Sequence, residues 1–128
     1  MPKLINRIGD LIQANANAAE TLTLTVATEV ETIVADLPRY KTVEITFDAF
    51  TDGRGYSTAK LLRDRYKFTG ELRAVGDVTI DQLFYLSRCG FNSFALRDDQ
   101  DLVLAKASLN AFSTGYQKSY PISAKAEV

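Results

Sequence analysis

Two glycines flank an arginine in Asp52-Gly53-Arg54-Gly55-Tyr56-Ser57, between a stretch that alternates apolar and polar residues and one with helical spacing. Glycine lets backbone N–H groups turn inward, and the start of a helix favours negative charge. Arg54 would add a planar cation. The chemistry these residues could do together is capture of an anion the size of phosphate, sulfate or sulfite. The same residues also suit a plain strand-to-helix turn, with Asp52 capping the loop and Arg54 paired to a carboxylate. A third reading is a dinucleotide loop, in which Gly53 and Gly55 hold a flavin or nicotinamide nucleotide and Asp77 supplies the ribose-binding acid. Thr58 stands where that fingerprint has its third glycine.

Other candidates share the same end of the predicted strands. Gly76-Asp77 follows a strand as the first loop does, and Asp77 either caps the next helix or faces the Arg54 loop as an acid, base or ribose ligand. Arg97 closes the last strand and either joins the anion site or pairs with Asp98 or Asp99. Glu44 and Arg73 fall on the polar side of adjacent strands, where a cross-strand ion pair is expected. Cys89 lies at a predicted helix C-terminus, where the dipole disfavours a thiolate, so it reads as a small buried hydrophobe. The aromatics Phe84, Tyr85, Phe91 and Phe94 read as core rather than as a cofactor box.

Composition narrows the chemistry. The chain has no His and one Cys, which removes the commonest general base, the commonest metal ligand and any intrachain disulfide. No metal site is expected, no catalytic residue stands out, and the sequence names no cofactor. With 15 basic against 16 acidic side chains and no basic block, nucleic acid is not an expected partner. Apolar runs are short and the first residues lack a signal peptide's apolar core, so neither a membrane nor export is expected, and the cytoplasm is the expected compartment. At 128 residues and 46% hydrophobic, the chain suits one domain with one core.

The elements that must position these residues are legible as alternation. Leu4, Ile8, Leu11 and Ile12 have helical spacing, predicting an N-terminal helical extension over 1–21. Four strand-helix units then fill a domain over 22–117, and 118–128 form a polar tail. The predicted strands are Leu22 to Val26, Val43 to Phe47, Glu71 to Val75 and Ser93 to Arg97. The first helix carries Val30, Ile33, Val34 and Leu37 and stops at Pro38. The second carries Ala59, Leu62 and Tyr66. The third starts at a Thr79/Gln82 capping box and ends near Gly90. The last has Leu102, Ala105, Leu109 and Phe112 on one face.

Strand-helix alternation predicts an α/β fold, a parallel sheet joined by right-handed crossovers. Each strand alternates, so one face is apolar and the other polar: Val43, Ile45 and Phe47 oppose Glu44 and Thr46, and Leu72 and Ala74 oppose Glu71 and Arg73. A sheet covered on both faces would instead show continuous apolar runs. The expected architecture is therefore a half (β/α)₈ barrel with helices on one face, strands in sequence order and a short N-terminal helix in front. Raw edge strands and an uncovered face also predict a homodimer, with two halves closing around the polar face.

Several phrases in this order resemble the bacterial family catalogued as domain of unknown function 934. They are Asp52 to Ser57, Glu71 to Val78, Asp81 to Phe91, and Ser113-Thr114-Gly115-Tyr116-Gln117. Members often carry proline where this chain has Asp48, so Asp48 is assigned no catalytic role. The family's genes neighbour those of sulfite reductase. The resemblance thus implies an accessory or anion-binding protein of assimilatory sulfite reduction, with sulfite reductase as a partner. The family's label of probable oxidoreductase implies, as the alternative, a small redox enzyme with a flavin or nicotinamide at Gly53–Gly55. It transfers no catalytic residue.

Overall fold

The computed structural model describes residues 3–13, 18–48 and 53–116, with side chains as far as residue 111. Four parallel strands run in sequence order across the sheet: β2 (Thr21–Thr25), β3 (Thr42–Phe47), β4 (Glu71–Gly76) and β5 (Ser93–Leu96). The expected α/β class and the consecutive order of these strands are both present. A further strand, β1 (Lys3–Asn6), pairs antiparallel with β5, giving the order β1-β5-β4-β3-β2.

Burial follows the alternation. Val43, Ile45 and Phe47 on β3, Leu72 and Ala74 on β4, and Phe94 and Leu96 on β5 are all essentially inaccessible. They share one core with Ala59 and Leu62 of α1 (Arg54–Asp64), Leu83 and Leu86 of α2 (Leu83–Arg88), and Ala105 and Leu109 of α3 (Leu102–Tyr116). Phe112, expected to continue that face of α3, lies outside the described side chains.

Three expectations fail, each for a physical reason. The N-terminal segment is a strand and not a helix, so the sheet is mixed rather than wholly parallel. Ile5 is fully buried opposite Phe94, so pairing along the open edge of β5 overrides a weak helical pattern. The turn that follows breaks any helix: Gly9 has φ +90°, and Asn6 Oδ1 accepts hydrogen bonds from the N–H groups of Ile8 and Asp10, both at 3.0 Å.

The helix expected over Val30 to Leu37 is two 3-10 segments, Val30–Thr32 and Val34–Arg39, with Pro38 inside the second. A run of β-branched residues closed by proline cannot sustain the i to i−4 ladder. The Thr79/Gln82 capping box does not form, because no side chain of Thr79 caps the turn. Gln82 instead accepts from the Tyr56 hydroxyl at 3.0 Å, and Gln100 Oε1 accepts from the Ile80 N–H at 3.0 Å.

Candidate functional site

The carboxyl ends of β3, β4 and β5 bring Asp48, Asp77 and Arg97 to one end of the sheet. Arg97 is held there by two carboxylates. It forks onto Asp99, with Nε donating to Oδ1 at 3.1 Å and Nη2 to Oδ2 at 2.6 Å, while Nη1 donates to Asp77 Oδ1 at 2.7 Å. Bidentate pairing of this kind fixes both partners. Its hydrogen bonds to Asp99 and then Asp77 hold the Arg97 guanidinium even more firmly protonated than usual. The Arg97 bonds, followed by one from Gln100, hold the Asp99 carboxyl below the usual range. Asp77 therefore meets Arg97 rather than capping the following helix. An oxyanion arriving at Arg97 would meet two carboxylates already seated on it.

The glycine loop divides into an outer and an inner part. Asp52 lies outside the described residues. Gly53, Arg54 and Ser57 are exposed at the start of α1, and open space surrounds the position of a Cβ on Gly53. Gly55 turns inward, where a Cβ would come within 2.3 Å of the Phe47 ring. The absence of a side chain at Gly55 thus has a packing cause. Tyr56 also points inward. Its ring centroid lies 5.3 Å from Phe47 and 5.4 Å from Tyr85, and burial, ahead of nearby Cys89 and Tyr85, raises its phenol above the ordinary value.

Gly76 has φ +96°, and a Cβ there would stand 2.3 Å from the Phe47 carbonyl oxygen. That close approach lets the Asp77 N–H donate to the same oxygen at 2.9 Å. The turn that aims Asp77 at Arg97 therefore needs glycine twice over, for its φ and for its space.

The polar sheet face carries the expected cross-strand pair and one residue more. Arg73 Nη1 donates to Glu44 Oε2 at 2.8 Å, and Nη2 and Nε donate to Glu71 Oε2 at 2.7 and 3.1 Å. The Arg73 side chain is only 5% exposed. Glu71 sits two residues before Arg73, hence on the same face, a signal that alternation alone could have supplied.

Arg63 is a residue that sequence reasoning missed. It donates from Nε to the Gly90 carbonyl at 2.9 Å and from Nη1 to those of Phe68 and Gly70 at 2.9 and 2.8 Å. It thereby ties the end of α1 to two loops, and no motif marks an arginine for that work.

Cys89 is buried and free, as expected. Burial pushes its thiol pKa up, against smaller lowering effects from Lys60 and Arg88. The thiol is therefore protonated at neutral pH, and its contribution to stability is lost only as pH rises past the unfolded thiol's range. We expect a thiol reagent at pH 7 to label the native protein roughly a hundredfold or more slower than the urea-unfolded chain. Equal rates in a timed absorbance assay would contradict this account of Cys89.

Among the described residues no three metal-ligating side chains come together, and no helix is long and apolar enough to cross a membrane. The class of protein is thus a small α/β domain whose strand-end arginine is internally paired. The family model described as "Bacterial protein of unknown function (DUF934)" matches residues 21–124, and the chain belongs to that family. No curated protein matches, and no solved structure matches.

Proposed function

We propose that this chain is a cytoplasmic accessory protein of assimilatory sulfite reduction, acting by docking on a partner protein. The pathway rests on the gene neighbourhood of the family. The mode of action rests on the pairing at the strand ends: Arg97, which follows β5 there, is already paired with Asp77 and Asp99. Asp48, Asp77, Asp98, Asp99 and Asp101 set five carboxylates at that end against Arg97, Arg54 at the start of α1, and the Lys3 ammonium, which donates to the Asp98 carbonyl at 3.2 Å. Such a surface repels an oxyanion and attracts a basic protein surface. We also read the four consecutive parallel strands, with one shared core on the helix side, as half of a (β/α)₈ barrel. In that arrangement the strand ends are the working face.

The test is growth of a deletion strain on sulfate against cysteine as sulfur source. The deletion is expected to require cysteine, with wild type restoring growth on sulfate. Asp98→Lys/Asp99→Lys, shown to be folded by circular dichroism, is expected to restore growth poorly and to lose salt-sensitive copurification with sulfite reductase. Normal growth of the deletion on sulfate would overturn the proposal. Full rescue by the charge-reversed variant would overturn the docking mode.

A further inference from the structure

The two edges of the sheet are finished differently. On the β1 side the chain folds back on itself: Leu11 bridges to Ile5, and the Ile12 N–H donates to the Leu4 carbonyl at 3.0 Å. On the other side β2 ends the sheet.

Which β2 groups point outward follows from register. The Phe47 carbonyl accepts from Asp77, beyond the end of β4. A strand directs the backbone groups of successive residues to opposite sides, so Val43, Ile45 and Phe47 face β4 while Thr42, Glu44 and Thr46 face β2. With Thr23 opposite Glu44, Leu22 and Leu24 bond to β3, and Thr21, Thr23 and Thr25 face outward.

Thr25 is already closed off. Its N–H donates to Thr28 Oγ1 at 3.0 Å, and its carbonyl accepts from the Thr28 N–H at 3.1 Å. Among the described residues the outward N–H and C=O of Thr21 and of Thr23 have no backbone partner.

We propose that this edge is a homodimer interface, in which a second copy of the chain pairs antiparallel with β2 about a two-fold axis at Leu22. That register sets Thr21 opposite Thr23 of the partner subunit, and Thr23 opposite the partner's Thr21. The four bonds formed engage every outward group that Thr28 leaves open. Shifting the axis to Thr23 would instead bring the partner against Thr25, whose groups are taken. The segment Thr21-Leu22-Thr23 suits a symmetric contact because it carries no charge and no proline, the usual devices that keep an edge from pairing. Leu22, only partly buried in one copy, would cover its equivalent at the axis. The helices of both copies then lie on the same side of one continuous sheet, and the polar face stays open. This assembly differs from closure around that face and does not depend on the docking proposal.

Sedimentation of the full chain over about 1–200 µM decides it. Wild type is expected to dimerise. Thr23→Pro removes an outward N–H and leaves the bonds to β3 intact, as edge strands tolerate. Two of the four bonds are lost per dimer, so association should weaken roughly tenfold or more. Thr21→Lys/Thr23→Lys places like charges opposite one another and should give monomer without the backbone change. Mild oxidation of Leu22→Cys should link two chains, whereas Thr46→Cys on the polar face should not. A wild-type monomer at 200 µM, an unchanged dimer in the double lysine variant, or linkage through Thr46→Cys but not Leu22→Cys would each overturn the proposal.

Discussion

Replacing Phe47 by alanine should lower the stability of this protein by about 3–5 kcal/mol, the range for truncating a buried aromatic side chain. Phe47 is 1% exposed, and three features of the candidate site are built on it. Its ring packs against the Cα of Gly55 and lies 5.3 Å from Tyr56 and 5.8 Å from Phe91 by ring centroid. Its carbonyl oxygen receives the Asp77 N–H and closes on Gly76. Loss of the ring would leave a cavity beneath the glycine loop. A domain of this size is stable by about 5–15 kcal/mol, so the variant should unfold at much lower urea, or fail to fold at 37 °C. A double-mutant cycle locates the cause. Gly55→Ala alone should destabilise, because its Cβ would stand 2.3 Å from the ring, and should cost less when Phe47 is already leucine. Strict additivity in urea titrations would show that Gly55 and Phe47 are not coupled.

Gly76→Ala should cost about 2–4 kcal/mol, through a strained φ and a backbone collision together. The φ of +96° is outside what alanine readily adopts, and the collision is with the Phe47 carbonyl, which no rotamer change can move. Gly76→Asn separates the two causes. Asparagine tolerates positive φ better than alanine, yet its Cβ meets the same oxygen. It should therefore recover only a small part of the loss. An asparagine variant as stable as wild type in urea would show that the close approach is not limiting. Either variant should also let Asp77 swing away from Arg97, which a changed NMR signal of the Arg97 guanidinium would report.

Much of the fold was legible because period-two alternation is a strong local signal. Val43-Glu44-Ile45-Thr46-Phe47 could only be a strand with one face buried, and that face is where Val43, Ile45 and Phe47 are found. The pairing of Glu44 with Arg73 followed from the same parity. The first residues misled because Leu4, Ile8, Leu11 and Ile12 satisfy a helical spacing weakly, while the deciding contact, Ile5 against Phe94, lies almost ninety residues away in sequence. Gly9-Asp10 was the turn signal that could have corrected the reading. The Thr79/Gln82 pattern matched a capping box, but Gln82 found a better partner in the Tyr56 hydroxyl. Local patterns offer a hydrogen bond without excluding distant competitors.

By itself, the sequence determined the class, the four parallel strands in chain order, the buried face and the burial of Cys89. Each depends on side-chain type at short spacing, which the chain carries locally. Tertiary structure alone decided what the strand-end residues do. Arg97 met Asp77 and Asp99 because the turn at Gly76 aimed Asp77 across twenty residues of sequence. Gly55 is glycine because a ring from β3 occupies its Cβ position. Which edge of the sheet stays open depended on Leu11 closing one side and Thr28 closing part of the other. Charges and glycines can serve many partners, and only the packed chain brings one partner within reach.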